Sequence, residues 1–434
     1  MSGAPKSTRN PTFRPVRLQY VMREVRRPVL VRPGQTYTEI GVRSHGKGVF
    51  HKEPITGDLL GNKRVFWLRP GTLVFNIVFA WERAVAVLAE SEAGLIGSHR
   101  FPTYEMLPGR AHAGFMKHYF TTGYGHYLLE LNSPGAAGRN KTLNQSALMK
   151  EEVWLPAADA QKAIADFLDR KTAAMDALIE KKQKLLDLLA EKRAALINQA
   201  VTKGLDPNVA MKDSGIPWIG EIPAHWEVVQ VRRLLDRLDQ GWSPVAEDRS
   251  AEDGEWAVLK LSAVSKGVFR PDQNKVLLKD YEPRPGLTLF PGDLLVTRAN
   301  TPQLVGDACV VRTRNDRLML SDLIYRLRLS HRASPEFVCL FLTSTHGRAP
   351  ITADARGSSQ SMVKISQGHI KAWPIPLPPP AEQHKVAAAT NDGLTRIRAT
   401  EGAVKTHIER IQEYRQALIT AAVTGQLRIG EEAA

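Results

Sequence analysis

The sequence predicts an α/β (α+β) protein built as two globular units, each followed by a long α-helix, with pseudo-twofold symmetry and the two helices packed on each other as a coiled coil. Three observations predict it. Sliding the 434-residue chain over itself by 222 positions lays 155–205 on 377–427 without a gap, and 14 of those 51 pairs are identical, against about three expected from average residue usage. Both copies open after prolines ("WLPAADAQ", "PIPLPPPAEQ") and run some forty residues to Gly204 or Gly425, a Pro-start, Gly-end grammar that marks helix boundaries. Upstream of each copy lies a region rich in Gly, Pro, Val and aromatics, with the short alternating runs of strands.

Within the two helices Met175, Leu186, Leu189 and Leu196 fall over Ile397, Ile408, Ile411 and Leu418. The steps of eleven, three and seven keep one face apolar, and such a stripe needs a partner. Each helix could pack on its own globular unit, but a forty-residue helix rises about 60 Å, more than a small domain can cover, so the other helix is favoured as the partner. The segment "TKGLDPNVAMKDSGIPWIGEIPAHW" at 202–226 is punctuated by Pro and Gly and joins the halves. Four residues inserted near Ala177 would lengthen such a spacer by about 6 Å.

Echoes of the repeat persist outside the helices. "GKGVF" at 46–50 corresponds to "SKGVF" at 265–269, and "LRPGTLVFN" at 68–76 to "LFPGDLLVT" at 289–297. The first echo bears on "GVRSHGKGVF" at 41–50, which holds Gly41 and, four residues on, Gly46-Lys47, most of a phosphate-binding P-loop. That loop needs Ser or Thr after the Lys and a helix opening there. The chain has Gly48 instead, with Pro54 and Gly57 close behind, and the second copy replaces Gly46 by Ser265. A strand-turn-strand element fits both copies.

Net charge is +14 with a pI near 9.7, and the first 52 residues hold eleven Lys or Arg against Glu24 and Glu39. A polyanionic partner, nucleic acid foremost, is expected. Apolar runs are too short or too interrupted to span a membrane, the start lacks a secretory h-region, and two cysteines make no disulfide framework, so a cytoplasmic location is expected.

At this point the residues resemble a family, the specificity (S) subunits of type I restriction-modification systems. The carriers are "GIPWIGEIPAHWEVVQVRRLL" at 215–235, "LPPPAEQHKVAAA" at 377–389 and "ALITAAVTGQL" at 417–427, with "GRNKTLNQSAL" at 138–148 and "PGDLLVTRAN" at 291–300 similar to segments of the family's target recognition domains. The resemblance implies target recognition domains at 1–153 and 214–373, helical regions at 154–213 (with the linker) and 374–434, and helices that pair antiparallel to space two half-sites. It implies a non-catalytic reader of a bipartite, asymmetric double-stranded DNA target. Two methyltransferase subunits would dock on it, joined by two motor-nuclease subunits where restriction is present for phage defence. No cofactor is expected in this chain; S-adenosylmethionine, ATP and Mg²⁺ belong to those partners. The first half departs from the family pattern: it lacks an "IPxxW" opening and has Ala160 where the second copy has Glu382.

Polar residues in turns of the globular units are the candidate DNA contacts: Arg43, Lys47, Arg139, Asn140, Lys141 and Asn144 in the first, and Lys266, Arg298, Asn300, Gln360, Ser361 and Lys364 in the second. Surface Lys and Arg are common and Asn and Ser cap turns, so each also has an ordinary structural reading. The competing functions are a self-sufficient nucleic-acid-modifying enzyme and a coiled-coil scaffold. For the enzyme, "NPTF" at 10–13 is a poor match to an Asn-Pro-Pro-aromatic methyltransferase motif. His112, His118 and His126 have no usual metal spacing, and Asp169, Glu180 and Lys182 lie on a helix whose charged positions read as its solvated face.

Overall fold

The computed structural model describes residues 12–135, 141–359 and 362–429, without the side chains of 356–359. The chain forms two compact units, Met1–Gln183 with Lys405–Ala434, and Lys184–Val404.

The first unit opens with β1 (Arg14–Arg17) and β2 (Met22–Val25), followed by the hairpin β3 (Ile40–Val42) and β4 (Val49–His51). Next come β5 (Leu73–Phe75), β6 (Val85–Val87), β7 (Thr103–Met106), helices α1 (Ala113–Thr121) and α2 (Gly123–Leu131), the short α3 (Gln145–Leu148) and β8 (Glu152–Leu155). Strands β2, β7, β5 and β6 make a four-stranded sheet in that order. β8 pairs antiparallel with β1, Arg14 opposite Leu155, and so delivers the chain to the long helix α4 (Ala158–Lys203). Phe75, Tyr104, Phe115 and Phe120 fill the core between sheet and helices, with Phe75 edge-on to both Tyr104 and Phe120.

The second unit repeats this plan. After the small hairpin β9 (Met211–Asp213) and β10 (Glu221–Pro223) come β11 (Glu227–Gln230), β12 (Leu235–Gln240), the hairpin β13 (Val264–Ser265) and β14 (Val268–Phe269), β15 (Leu294–Thr297), β16 (Ala299–Asn300), β17 (Ala308–Val310) and β18 (Ile324–Leu329). Helices α5 (Pro335–Thr343) and α6 (Thr345–Asp354), strands β19 (Arg356–Ser359), β20 (Met362–Lys364) and β21 (Pro374–Leu377), and the long helix α7 (Pro380–Val423) complete it. Its four-stranded sheet, β12-β18-β15-β17, has the order of the first, and β11 pairs β21 as β1 pairs β8. Even the helix corner is copied. The Thr122 hydroxyl accepts from the Gly125 N–H at 3.1 Å and the Ser344 hydroxyl from the Gly347 N–H at 3.0 Å. At either glycine a Cβ would run into the carbonyl of Tyr119 or Phe341.

Each unit takes one half of each long helix. In the first, Ile164 and Leu168 share a core with Leu418, Ile419, Ala422 and Val423, while Asp176, further along α4, meets the earlier Arg415 of α7 at 3.4 Å. In the second, Gly204 lies beside Glu382 and Leu196 beside Gly393. In both units the two helices therefore run antiparallel. Of the stripe read from the sequence, Ile397, Ile411 and Leu418 are buried, and Met175, Leu186, Leu189, Leu196 and Ile408 half-buried. Leu178, Leu185 and Leu188 form a second, exposed stripe on α4. No helix among the described residues is long and apolar enough to cross a membrane.

Candidate nucleic-acid interface

The stretch 41–50 is the hairpin β3–β4, and no helix opens at Lys47. His45, Gly46 and Gly48 take positive φ to turn it. Its counterpart β13–β14 turns through Lys266 and Gly267, both left-handed, with Ser265 opposite Val268, which is the two-residue geometry that matches strand twist. The structure thus agrees with the strand-turn-strand reading, and the phosphate loop is set aside.

Arg43 is folded back on its hairpin, donating to the Val49 carbonyl at 2.9 Å with its guanidinium 5.0 Å from the Phe50 ring centre. Lys47 is exposed at the turn and borders a cavity of about 660 Å³ whose walls include Arg83, Lys117 and Arg415. Lys141 lies 5.1 Å over Trp81 and 3.2 Å from Glu130. The Asn144 side chain accepts from the Ala147 N–H at 3.1 Å and so caps α3, a local role that Asn fills wherever a helix begins. Arg139 and Asn140 lie outside the described residues, as do Gln360 and Ser361.

In the second unit Lys266 is exposed on its turn, and its main chain is tied twice. The N–H donates to Asp307 at 2.7 Å and the carbonyl accepts from Arg193 of α4 at 2.8 Å. Asn300 and Lys364 lie on one small sheet, β16-β20-β19, where Ala299 stands opposite Lys364 and Asn300 opposite Val363, and Arg298 sits in the bend just before it. Arg298 reaches the Asp322 carbonyl at 3.4 Å and Asn300 accepts from the next N–H at 2.8 Å. Lys364 is exposed. This sheet is the densest group of candidate readers.

Folding also assembles cations that sequence reasoning passed over. Arg83, Lys117 and Arg415 are far apart in the chain and meet Lys47 around one cavity, with Asp169 and Asp176 as counter-charges. No sequence signal marks them, since each is an ordinary basic residue until the hairpin, α1 and α7 converge.

Several residues of the enzyme signatures are engaged in packing contacts. His118 is buried and donates through Nε2 to Asp169 at 2.8 Å, and Lys117 reaches the same oxygen at 2.6 Å. Burial lowers the pKa of His118, against the opposing pull of Asp169, and so favours the neutral ring. Burial alone would raise the pKa of Asp169, but the bonds from His118 and Lys117 outweigh it and hold the carboxyl far below its usual range. His126 donates to the Trp81 carbonyl at 2.8 Å. No group of three His, Cys, Asp or Glu among the described residues is placed to hold a metal. Cys339 is buried and its thiol is pushed up to about 12 by that burial, so it is no thiolate nucleophile at neutral pH. In "NPTF", Phe13 is a core residue; Asn10 and Pro11 lie outside the described residues.

No family model matches the chain. Its sequence is similar to the EcoEI specificity subunit of Escherichia coli, 33% identical over 199 residues, covering 45% of this chain and 33% of the relative. It is also similar to the EcoKI specificity subunit of Escherichia coli K12, 24% identical over 321 residues, covering 73% and 66%. These alignments thus span from a third to just under two thirds of the relatives' lengths. Its fold matches a chain from a structure of type I restriction-modification complex assembly, with 17% identity, a TM-score of 0.66, and 97% of this chain and 100% of that one covered. The chain is thus similar to type I specificity subunits in sequence, and to this solved structure in fold. The HsdS subunit of Thermoanaerobacter tengcongensis shares the same duplicated fold, at 17% identity, TM-score 0.52, covering 97% and 99%.

Proposed function

We propose that this chain is the DNA-recognition subunit of a type I restriction-modification complex, itself without catalytic activity, reading a split asymmetric DNA target with one half-site per globular unit. The observation that carries the proposal is a duplicated mount with diverged readers. The sheet order, helix corner and helix attachment are the same in both units, whereas the exposed turns differ in sequence outside the Lys-Gly-Val-Phe shared by the two hairpins. Two copies of one mount suit one ligand type, a duplex. Different turns suit two unrelated half-sites.

Lys47, Lys266, Arg298, Asn300 and Lys364, with Arg43, Lys141 and the undescribed Arg139, Asn140, Gln360 and Ser361, are assigned to phosphates and base edges; Asn144 is assigned to shaping its loop. Recognition domains at 1–153 and 214–373 and helical regions at 154–213 and 374–434 complete the assignment. The exposed Leu178, Leu185 and Leu188 suit the docking of partner helices, because an exposed apolar stripe marks an interaction surface. In this reading two methyltransferase subunits dock there, with two motor-nuclease subunits where restriction is present. S-adenosylmethionine, ATP and Mg²⁺ act on those partners, in the cytoplasm.

The test is methylation of a randomised DNA library by this chain co-expressed with its methyltransferase, read base by base. The expected outcome is modified adenines in one two-part motif with a fixed gap. A well-folded complex that modifies no defined motif would sink the proposal, and purified chain that alone binds S-adenosylmethionine or cuts DNA with Mg²⁺ would replace it by an enzyme.

A further inference from the structure

The first turn of each long helix carries a glutamine, Gln161 in α4 and Gln383 in α7, and both are fully buried. Gln161 accepts from the His112 N–H at 3.0 Å and donates to the carbonyls of Arg110 at 3.2 Å and Pro156 at 2.9 Å. Gln383 accepts from the Ser334 N–H at 2.7 Å and donates to the carbonyls of Arg332 at 2.9 Å and Pro378 at 2.8 Å. Every member of the first set lies 222 residues before its counterpart in the second.

All six partners are main-chain groups. They come from three places in each unit: the loop before the helix corner (Arg110, Arg332), the residue that starts the corner helix (His112, Ser334), and the strand-to-helix bend (Pro156, Pro378). One amide thus ties the globular part to the long helix at several points, with both its donor and its acceptor side satisfied. The glutamine's is the one side chain in these hydrogen bonds. The socket therefore tolerates divergence of everything around it, as the change of His112 to Ser334 illustrates. A buried amide in a satisfied network fixes one arrangement, because any other leaves polar groups without partners.

We infer that Gln161 and Gln383 are positioning residues that set the angle at which each recognition domain is mounted on its helix, and through it the gap between the half-sites. The inference rests on the DNA-reading function proposed above. Neither glutamine contacts DNA in this account.

The experiment compares wild type, Gln161→Met and Gln383→Met, each co-expressed with the methyltransferase and read on a library in which the gap is varied one base pair at a time. Methionine keeps the volume and removes both the acceptor and the donor. The control is Phe75→Leu, which weakens the first unit's core without touching the socket. Both half-motifs should keep their bases, while methylation at gaps one base pair from the optimum rises roughly tenfold relative to the optimum, the factor carried by about one buried hydrogen bond. Phe75→Leu should lower stability and leave the gap sharp. A glutamine variant that melts earlier yet keeps a single gap length overturns the inference and leaves the residue a structural cap, as does a control that broadens the gap equally. Where a methionine variant does not assemble, Gln161→Asn, which keeps the amide one methylene short, is scored by the same outcomes. Wild type that methylates no split motif refutes the functional reading itself, and is told apart in the first arm.

Discussion

Replacing Glu382 by Ala converts the second helix opening into the first, which has Ala160 there. Glu382 accepts from the Trp226 indole N–H at 3.1 Å through one oxygen and pairs with His225 at 2.7 Å through the other. Trp226 is fully buried, edge-on to Phe337 and packed in the core of the second unit, so its N–H loses its carboxylate partner in the variant. A buried donor left unpaired costs about 1–3 kcal/mol. Glu382 is partly exposed, so water can enter the vacated space and the lower half of that range is expected. The exposed His225 pair adds at most about 1 kcal/mol. At roughly 2–4 °C per kcal/mol for a unit of this size, the melting temperature of the second unit should fall by about 2–12 °C. Calorimetry on wild type, Glu382→Ala, Trp226→Phe and the double variant measures it, because phenylalanine has no N–H to satisfy. If Glu382→Ala costs as much in the Trp226→Phe background as in wild type, the indole bond is not what the carboxylate contributes. The reverse change, Ala160→Glu, should stay within about 0.5 kcal/mol, since Phe13, which precedes β1 as Trp226 precedes β11, has no N–H to pair with it.

Three further outcomes are expected. Four residues inserted after Gln183 together with four after Val404 preserve the helix contacts inside each unit and add about 6 Å, so the methylated gap should lengthen by about two base pairs; four residues near Ala177 alone advance α4 by about 40° past a full turn, putting its stripe out of phase with α7, and should cost assembly, measured by co-purification with the methyltransferase. His118, whose pKa burial depresses, takes up a proton on unfolding below about pH 6.5; its stabilisation is present above that pH and lost as pH falls below it, so denaturant titrations of His118→Gln should show a shallower loss between pH 7 and 5. Lys364→Ala should weaken DNA binding alike on all sequences and reduce the salt slope by about one if it contacts a phosphate, whereas Arg298→Ala should relax specificity at one base pair at a cost of about 1–3 kcal/mol if it reads a base, both scored by binding at several salt concentrations.

The duplication was legible because the helices and their corners keep one offset. From Arg110 and Arg332 through the helix corners to the ends of α4 and α7 the shift stays at 222, without insertion. Ahead of that region it drifts: β1 and β11 differ by 213 positions, β5 and β15 by 221, β6 and β17 by 223. Segments of unequal length between strands break the alignment although the two four-stranded sheets agree strand for strand, so only fragments such as "SKGVF" survived in a self-comparison. The glutamine sockets were passed over for a different reason. An identical Gln at 161 and 383 was visible in the sequence, but its importance lies in main-chain partners up to 51 residues away, and no side-chain pattern announces a main-chain contact. Reader residues are the least legible of all. Asn144 and Lys266 look alike as polar turn residues, yet the first spends its side-chain oxygen on a cap and the second is held by its main chain with its ammonium exposed.

That contrast separates what a duplicated reader must keep from what it must change. The mount rests on main-chain hydrogen bonds, a Thr or Ser cap and two glycines that admit no Cβ, contacts that survive almost any substitution in their surroundings. The exposed turns rest chiefly on main-chain pairing: Val42 opposite Val49, Ser265 opposite Val268, Ala299 opposite Lys364. Side chains there can be exchanged without disturbing the register, because pairing through the backbone does not depend on which polar residue faces solvent. On the proposed reading, target specificity can then change at the turns while the mount stays fixed, which gives a physical reason for the sequence similarity of the two halves to concentrate in the helices.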